Sequence, residues 1–581
     1  MRFSGISLFF QMITGSEYIT KFLEYQNTNI IFGYSGGTNL DLLNKLSKSR
    51  IKIVTNRHEQ FLGHSAEGYA KTSKKIGVAL TTSGPGVTNM ITPLQDSLSD
   101  SIPLVLISGQ VSKKNLGTNA FQEVDAIELT KACTKWNYQV QDISELHYAL
   151  HTGFSIALDG KKGPVHIDIC KNVFTSNTKD FPENKIITEK ILPFEPPIFF
   201  EYKKILNKIE NSKKPIIIVG KGAFSCMGQI RKFSRLYNIP VTTTLHAVGL
   251  MDERKHLSLG MLGMHGTPYA NKAVQEADLI IGIGNRFDDR TIGNPKTFGQ
   301  NAKLNYGIVH IDIDIDNINM VKKIIEPTYS FKMKGSFFMD FLLRNSFQKK
   351  DIEWIDNLRQ KYPFPLEKNK NHLKMEDILI ELGDQLEGED CILTTGVGNH
   401  QMVAAQHFTW NYPQRLITSG SLGTMGVGLP FAIGSYFASP SSTILCIDGD
   451  GSFMMSLQEL ATISQYNIPI KIFILDNQKL QMVHTWQELF HESRYITTEL
   501  KNPHFRTIGK AFGIKTFSCS SKRKLKEVIS NVLDTKGPVL CHLHILPEHC
   551  LPFVSPGSSL DDFLYDSSFN KSKGIGPRSK K

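Results

Sequence analysis

The chain reads as an α/β protein of three doubly wound parallel-sheet domains, on three observations. Short apolar, β-rich runs recur at 76–82, 102–108, 215–220, 278–284, 308–313, 392–396, 443–448 and 468–476. Each is followed by a helix-compatible stretch. Their hydrophobicity is continuous rather than alternating, as expected of strands covered on both faces. Next, two polar stretches rich in Lys, Asn and Pro, 172–195 and 344–374, divide the chain into 12–180, 195–345 and 372–555, with a tail at 556–581. Finally, the outer domains echo each other. Lys162-Gly163-Pro164-Val165 returns as Lys536-Gly537-Pro538-Val539, 374 residues later, and Ile102-Pro103 returns as Ile468-Pro469, 366 later. The strand-to-glycine turns Thr82-Ser83-Gly84-Pro85-Gly86 and Asp448-Gly449-Asp450-Gly451 fall 364–366 apart. Three matches near one offset predict two copies of one fold flanking a different, Rossmann-like middle domain.

Composition fits this reading and narrows the function classes. A chain of 581 residues has room for roughly three or four cores. The net charge of +11 is thin for a chain with 21% charged residues, and it concentrates in the linkers and in 570–581. A solvated surface accounts for that better than a nucleic-acid groove. With 40% hydrophobic and 10% aromatic residues the chain is neither disordered nor fibrous. No apolar run approaches the ~18 residues of a membrane-spanning helix, so no membrane is expected. The eight cysteines are scattered, without CxxC or zinc-like spacing, and read as reduced, buried thiols of an intracellular protein. Residues 1–11 are apolar but too short and too weakly charged to be expected as a signal or transit peptide, so that either the protein works where it is made or a presequence precedes this sequence.

The turn that ends the run 443–448 carries the clearest chemistry. Asp448-Gly449-Asp450-Gly451-Ser452 follows one apolar strand, and Asp476-Asn477 ends the next, Asn477 lying 27 residues beyond Asp450. A hard divalent cation takes oxygen ligands, and Mg²⁺ is commonly shared between one or two side chains and phosphate oxygens. Asp450 and the Asn477 amide are placed for that at the carboxyl ends of parallel strands, with glycines that let backbone N–H groups approach a diphosphate. The pattern resembles the thiamine-diphosphate signature, which often ends Asn-Asn where this chain has Asp476-Asn477. The resemblance implies that Asp450, Asn477 and the Lys479 carbonyl hold Mg²⁺.

Thiamine chemistry also needs a carboxyl group against the aminopyrimidine ring nitrogen, kept protonated by burial. Arg57-His58-Glu59-Gln60 resembles the segment that supplies it, which makes Glu59 the candidate. Phe61-Leu62 stand where Gly-Ala is usual in that family, and their bulk is expected to narrow the channel beside the pyrimidine.

From about residue 14 to 562 the chain is similar to the catalytic subunits of the acetohydroxyacid synthase (acetolactate synthase) family. The matching segments include Phe32-Gly33-Tyr34-Ser35-Gly36-Gly37, Thr82 to Asn89, Gly117-Thr118-Asn119-Ala120-Phe121-Gln122-Glu123 and Leu262-Gly263-Met264-His265-Gly266. Further along come Arg286-Phe287-Asp288-Asp289-Arg290, Gly396-Val397-Gly398-Asn399-His400-Gln401-Met402, Gly423-Thr424-Met425-Gly426 and Met482-Val483-His484-Thr485-Trp486. The resemblance implies that pyruvate is decarboxylated on thiamine diphosphate and that its hydroxyethyl carbanion passes to pyruvate or 2-oxobutyrate. The products are 2-acetolactate and 2-aceto-2-hydroxybutyrate, on the routes to valine, leucine and isoleucine.

By the same resemblance the outer domains bind the pyrimidine and the diphosphate. Thiamine diphosphate is implied to contact Glu59, Pro85, Asn89, Val397, Gly398, Asn399, His400, Gly423, Met425, Gly449, Asp450, Gly451, Ser452, Asn477, Leu480, Gln481, Met482 and Val483. Met425 holds the cofactor bent, Arg290 offers a fork for the acceptor carboxylate and Trp486 shapes the acceptor pocket. Phe121, Gln122 and Lys171 line the donor side, with Lys135 a weaker candidate beside a solvated-lysine reading. The middle domain is implied to bind FAD through Lys161, Gly220, Gly222, Thr244, Leu245, His246, Met264, His265, Gly284, Arg286, Asp288, Asp312 and Ile313. Lys161 stands where Arg is usual, and Gly335-Ser336 where Gly-Asp is common.

Three rivals remain in view: a flavin-dependent pyruvate oxidase of the same architecture, a non-catalytic regulatory subunit, and nucleic-acid binding. Arg290, Trp486 and the run Met264-His265-Gly266 favour the synthase. Glu59, Asp450 and Asn477 standing together oppose a decayed relic, and no nucleic-acid-reading motif is present. The family implies a homodimer with active sites at its interface and a possible small regulatory subunit. Abundant Lys, Asn and Ile suggest an A+T-rich genome and expression in a plastid (chloroplast) stroma, with a bacterial cytoplasm as the alternative.

Overall fold

The computed structural model of the chain describes residues 12–179, 199–364, 372–412 and 414–564. The expectations for residues 1–11, for 180–195 of the polar stretch 172–195, for 365–371 and for the tail from 565 lie outside the described residues. All eight apolar runs are strands: Gly77–Thr81, Leu104–Gln110, Pro215–Val219, Leu279–Ile283, Gly307–Asp312, Cys391–Thr395, Thr443–Gly449 and Lys471–Asp476. They belong to three six-stranded parallel sheets flanked by helices.

The N-terminal sheet uses, in chain order, Ile30–Gly33, Lys52–Val54, Gly77–Thr81, Leu104–Gln110, Trp136–Val140 and Val165–Cys170. Their spatial order is second, first, third, fourth, sixth, fifth. The C-terminal sheet uses Cys391–Thr395, Leu416–Ile417, Thr443–Gly449, Lys471–Asp476, Lys515–Cys519 and Val539–His544 in the same spatial order. The duplicated Lys-Gly-Pro-Val segments therefore open equivalent strands. The middle sheet runs third, second, first, fourth, fifth, sixth across Pro215–Val219, Val241–Thr243, Ser258–Met261, Leu279–Ile283, Gly307–Asp312 and Tyr329–Lys332. That is the Rossmann order, with its reversal between the first and fourth strands.

The chain folds into two compact units. The first holds the described residues of Met1–Lys190 with Ser421–Ser442 and Ser456–Ile470; the second holds the described residues of Ile191–Gly420, Thr443–Met455 and the described residues of Lys471–Lys581. The helix Gly428–Ala438 thus groups with the N-terminal sheet rather than with the sheet that follows it in sequence. It packs on the helix Glu59–Ser73 through glycines: a Cβ at Gly434 would run into the Ser65 carbonyl oxygen, and one at Gly68 would lie 2.6 Å from that of Phe431. In the second unit, Val248 and Met261 of the middle region share a core with the C-terminal sheet residues Leu393, Leu445 and Phe473.

Among the described residues all eight cysteines are free, seven buried and Cys391 half-buried. No described helix is long and apolar enough to cross a membrane.

The helix contact at Gly434 leaves no room for a methyl group. Gly434→Ala is expected to cost about 1–3 kcal/mol in urea unfolding. Gly228→Ala, in open space on the helix Met227–Tyr237, should stay within about 0.5 kcal/mol of the parent. Equal midpoints for the two variants would show that the backbones do not meet there.

Candidate active site

In the first unit the acid candidate opens a helix. Glu59 is the first residue of Glu59–Ser73, whose N-cap His58 accepts the Gln60 N–H through Nδ1 at 3.1 Å. The loop before it is clamped from the fully buried Glu459, whose carboxylate accepts from the Arg57 N–H at 2.9 Å and from Asn56 Nδ2 at 2.8 Å. Burial pushes the Glu459 carboxyl up, against those bonds. Asn89 Nδ2 donates to Glu59 Oε2 at 3.0 Å, so two residues expected at the pyrimidine meet. Pro85 opens the short helix Pro85–Thr88 just before Asn89. The preceding Gly84 has φ +59° and is packed against Gln122, whose Cβ and carbonyl oxygen would lie 3.0 Å from an added Cβ. Glu59, Pro85, Asn89 and Gln122 thus gather near the carboxyl edge of the N-terminal sheet.

Other expected residues of this unit are more open. Phe121 is 89% exposed, and Lys171, at the start of the helix Lys171–Thr175, is exposed. Gly423 is exposed and Met425 half-buried. Lys161 is an exposed residue of the turn between Leu146–Leu158 and Val165–Cys170. Lys135 departs from the donor-side expectation, because its ammonium donates to the carbonyl oxygens of Ile156 (2.5 Å) and Asp159 (2.8 Å) and so caps a helix end. Phe61 and Leu62 are buried, the Phe61 ring 5.7 Å from that of His58.

In the second unit the diphosphate candidates converge on the carboxyl edge of the C-terminal sheet. Val397 and Gly398 lead into the helix Asn399–His407, whose N-terminal end suits an anion, with the Gln401 N–H already donating to the Gly398 carbonyl at 3.1 Å. Asn399 is tied by its Nδ2 to the Glu548 carbonyl at 3.1 Å. His400 Nε2 stands 3.2 Å from Asp448 Oδ1. Glycines allow the crowding: a Cβ at Gly449 would lie 2.8 Å from His400 Nδ1, and one at Gly396 would collide with both Asp448 Oδ1 and Ser452 Oγ. Gly451 is covered by Leu480, 2.5 Å from an added Cβ, at the entry to the helix Gln481–Phe490 that carries Met482 and Val483.

Asp450 and Asn477 are both buried. Asn477 Oδ1 accepts from the Lys479 N–H at 3.1 Å and Nδ2 donates to Gln481 Oε1 at 3.2 Å, which fixes the tight turn. Asn502, not singled out in the sequence, donates from Nδ2 to Asp450 Oδ2 at 2.6 Å and to Asp476 Oδ1 at 2.9 Å. Burial pushes the Asp450 carboxyl up to about 7, Asn502 opposes this, and the neighbouring Asp476 charge adds to it. Burial acts on Asp476 the same way, but the bonds from His542 and Asn502 outweigh it and hold that carboxyl below its ordinary value. Three carboxylates, Asp448, Asp450 and Asp476, therefore end at one strand edge. Hard oxygen donors this crowded fit a divalent cation and the diphosphate it would carry.

The acceptor-side residues also meet. The Arg290 guanidinium carbon lies 5.6 Å from the Trp486 ring centroid, and its Nη1 lies 3.0 Å from Met264 Sδ. Asp289 is 3.7 Å from Arg290 Nε, so the surface pair exists alongside the stacked one. The backbone ties Met264 to Arg290 (N–H to O, 2.7 Å), and the neighbouring His265 ring lies 5.9 Å from Phe553.

The flavin candidates divide. Gly220, Gly222 and Gly284 sit where the middle sheet reverses its strand order, yet they are occupied by each other: a Cβ at Gly220 would run into the Gly284 carbonyl oxygen, and one at Gly222 would be 2.8 Å from Gly284 Cα. Their small size is explained by two loops touching. Thr244, Leu245 and His246 follow the second strand, Arg286 and Asp288 the fourth, and Asp312 and Ile313 the fifth. They share the carboxyl edge where a dinucleotide binds in this topology. Arg286 Nη2 donates to Asp288 Oδ2 at 3.4 Å, and Asn317 Nδ2 donates to Asp312 Oδ2 at 2.7 Å.

Comparison with known families agrees with this geometry. Three family models match: the N-terminal TPP binding domain of thiamine pyrophosphate enzymes at residues 13–129, their central domain at 202–329, and their C-terminal TPP binding domain at 396–543. The chain is 39% identical to the mitochondrial acetolactate synthase of Schizosaccharomyces pombe, covering 96% of this chain and 87% of that protein. It is 38% identical to the isozyme 2 large subunit of acetolactate synthase from Escherichia coli, covering 95% and 99%, and 38% identical to the chloroplastic acetolactate synthase 1 of Zea mays, covering 95% and 89%. With relatives at this identity along almost the whole chain, it belongs to the acetolactate synthase family of thiamine-pyrophosphate enzymes.

Proposed function

We propose that this chain is the catalytic subunit of an acetolactate synthase that joins pyruvate to a second 2-oxo acid, pyruvate or 2-oxobutyrate. The observation that carries this reading is the Arg290 guanidinium stacked on Trp486 and touching Met264. A cation held by an aromatic face and a thioether is a receptor for a carboxylate-bearing acceptor with a small apolar tail. A pyruvate oxidase has no acceptor acid to hold.

Thiamine diphosphate supplies the electron sink for decarboxylation, and the remaining work falls to side chains. Glu59, oriented by Asn89, is the group that would hold a proton for the pyrimidine ring nitrogen. Asp450, Asn477 and the Lys479 carbonyl are the proposed Mg²⁺ ligands, with Val397 to His400 and Gly449 to Ser452 around the diphosphate. Met425 would lie against the bound cofactor, and Phe121, Gln122 and Lys171 would border the donor. Product analysis on pyruvate, with and without thiamine diphosphate, Mg²⁺ and FAD, tests the whole reading; acetate in place of acetolactate would favour the oxidase.

FAD is proposed as a bound, unconsumed group held by the Thr244, Met264-His265, Arg286 and Asp312 segments, with Lys161 contributing. The domains are proposed to run 12–180, 195–345 and 372–555, followed by a tail. The working form is proposed to be a homodimer, open to a small regulatory subunit. The named relatives include chloroplastic, mitochondrial and bacterial proteins. The Lys-, Asn- and Ile-rich composition favours a plastid stroma over a bacterial cytoplasm.

Glu59→Gln is expected to lower turnover about 10²-fold or more while Mg²⁺-dependent cofactor binding stays measurable; turnover near the parent's would remove Glu59 from the mechanism. Trp486→Leu should shift the product ratio from mixed pyruvate and 2-oxobutyrate toward acetolactate by roughly tenfold, and an unchanged ratio would refute the acceptor assignment. A metal ligand must be deprotonated, so with the Asp450 carboxyl at about 7 the affinity for Mg²⁺ should fall as pH falls. Between about pH 7.5 and 6.0 calorimetry should show a loss of roughly eightfold. A pH-independent affinity would place the ion elsewhere.

A further inference from the structure

We propose that Asp476, His542 and His544 form a second cation site, selective for a borderline transition metal such as Zn²⁺ or Co²⁺ over Mg²⁺. The three residues come from neighbouring parallel strands, Lys471–Asp476 and Val539–His544. The register sets Asp476 opposite His544 and Ile474 opposite His542. Because side chains alternate between faces with a period of two, Asp476, His542 and His544 project on the same face.

The distances agree. One ligand atom from each residue lies within 4.8 Å of the other two. His542 Nε2 is 2.8 Å from Asp476 Oδ2, and the two imidazole centroids are 4.0 Å apart. His542 is 2% exposed, and its Nδ1 is buried without a hydrogen-bond partner among the described residues. His544 is exposed and opens the cluster to solvent.

Two imidazoles with one carboxylate form a donor set for Zn²⁺, Co²⁺ or Ni²⁺. Mg²⁺ prefers an all-oxygen set such as Asp450, Asn477 and the Lys479 carbonyl. Asp476 is also where this chain departs from the Asn-Asn ending of the thiamine pattern, so the departure supplies the only carboxylate of the cluster. Asn502, which bonds both Asp476 Oδ1 and Asp450 Oδ2, joins the two sites through a single amide.

The test is metal binding by the full chain, independent of whether acetolactate is made. Chelator-treated protein is held in a large excess of Mg²⁺ and titrated with Co²⁺, followed by its visible ligand-field absorption, and with Zn²⁺ by calorimetry. The expected result is one saturable ion per chain, with binding weakened at least about tenfold by His544→Ala and by Asp476→Asn. His491→Ala, at an exposed imidazole outside the cluster, should titrate like the parent. His544 is exposed, so its variant reports on the site even where the buried Asp476 variant folds poorly. No saturable Co²⁺ binding above the Mg²⁺ background, or binding that His544→Ala leaves within about twofold, would overturn the proposal.

Discussion

Two buried carboxylates tied to one amide set the constraint around which the C-terminal third of the chain is arranged. Asp450 and Asp476 follow or end adjacent parallel strands, and the register that pairs Gly449 with Leu475 and Asp476 with His544 leaves them no other place. Burying like charges together is costly unless each is bonded or neutralised. Asn502 satisfies one oxygen of each, and His542 satisfies a second oxygen of Asp476. The residual strain falls on Asp450, whose carboxyl is driven up toward neutral pH. Oxygen donors crowded in this way are the kind of set that a hard divalent cation takes.

The two outer sheets show how one topology serves two chemistries. Both use the same strand order, and parallel strands send all their carboxyl-end loops to one edge. In the first unit that edge carries Glu59, with a neutral amide, Asn89, as its bonded neighbour. In the second it carries a crowd of carboxylates. The difference lies in a few turn residues, whereas the interior strands beneath them are apolar runs in both sheets.

That division also explains what was legible in the sequence. The interior strands were visible because burial on both faces demands an unbroken apolar run, as in Leu104–Gln110 or Lys471–Asp476. Edge strands such as Trp136–Val140 and Lys515–Cys519 are half-buried and polar in part, so no such run marks them. Glu59, Asp450 and Asn477 stand out in the sequence as candidates because each lies in a short local pattern. Asn502 and His542 were missed because they reach Asp476 across 26 and 66 residues of chain, a relation only the folded sheet creates. The glycines Gly220, Gly222 and Gly284 stand out in the sequence after their strands, and the fold adds that the loops they line touch each other.

The helix Glu59–Ser73 shows how far from the reacting atoms preorganisation begins. Its first residue, Glu59, keeps one position only if the helix axis cannot shift, and the contacts along the helix oppose shifting. His58 caps it, Glu459 clamps its entry loop, and Gly68 and Gly434 bring the helix Gly428–Ala438 to backbone contact. Further along, the buried Lys71 ammonium bridges Glu67 at 3.0 Å and Asp100 at 2.9 Å while lying 4.4 Å from the Phe431 ring centroid. Burial alone would push that ammonium down, and the surrounding carboxylates raise it instead. An ion pair replaced by apolar side chains often costs nothing in stability. What the pair adds here is direction, because Lys71 fits only where two acids and an aromatic face coincide. The helix is thereby locked in rotation as well as in position, and the orientation of Glu59 is inherited from a lysine three turns away.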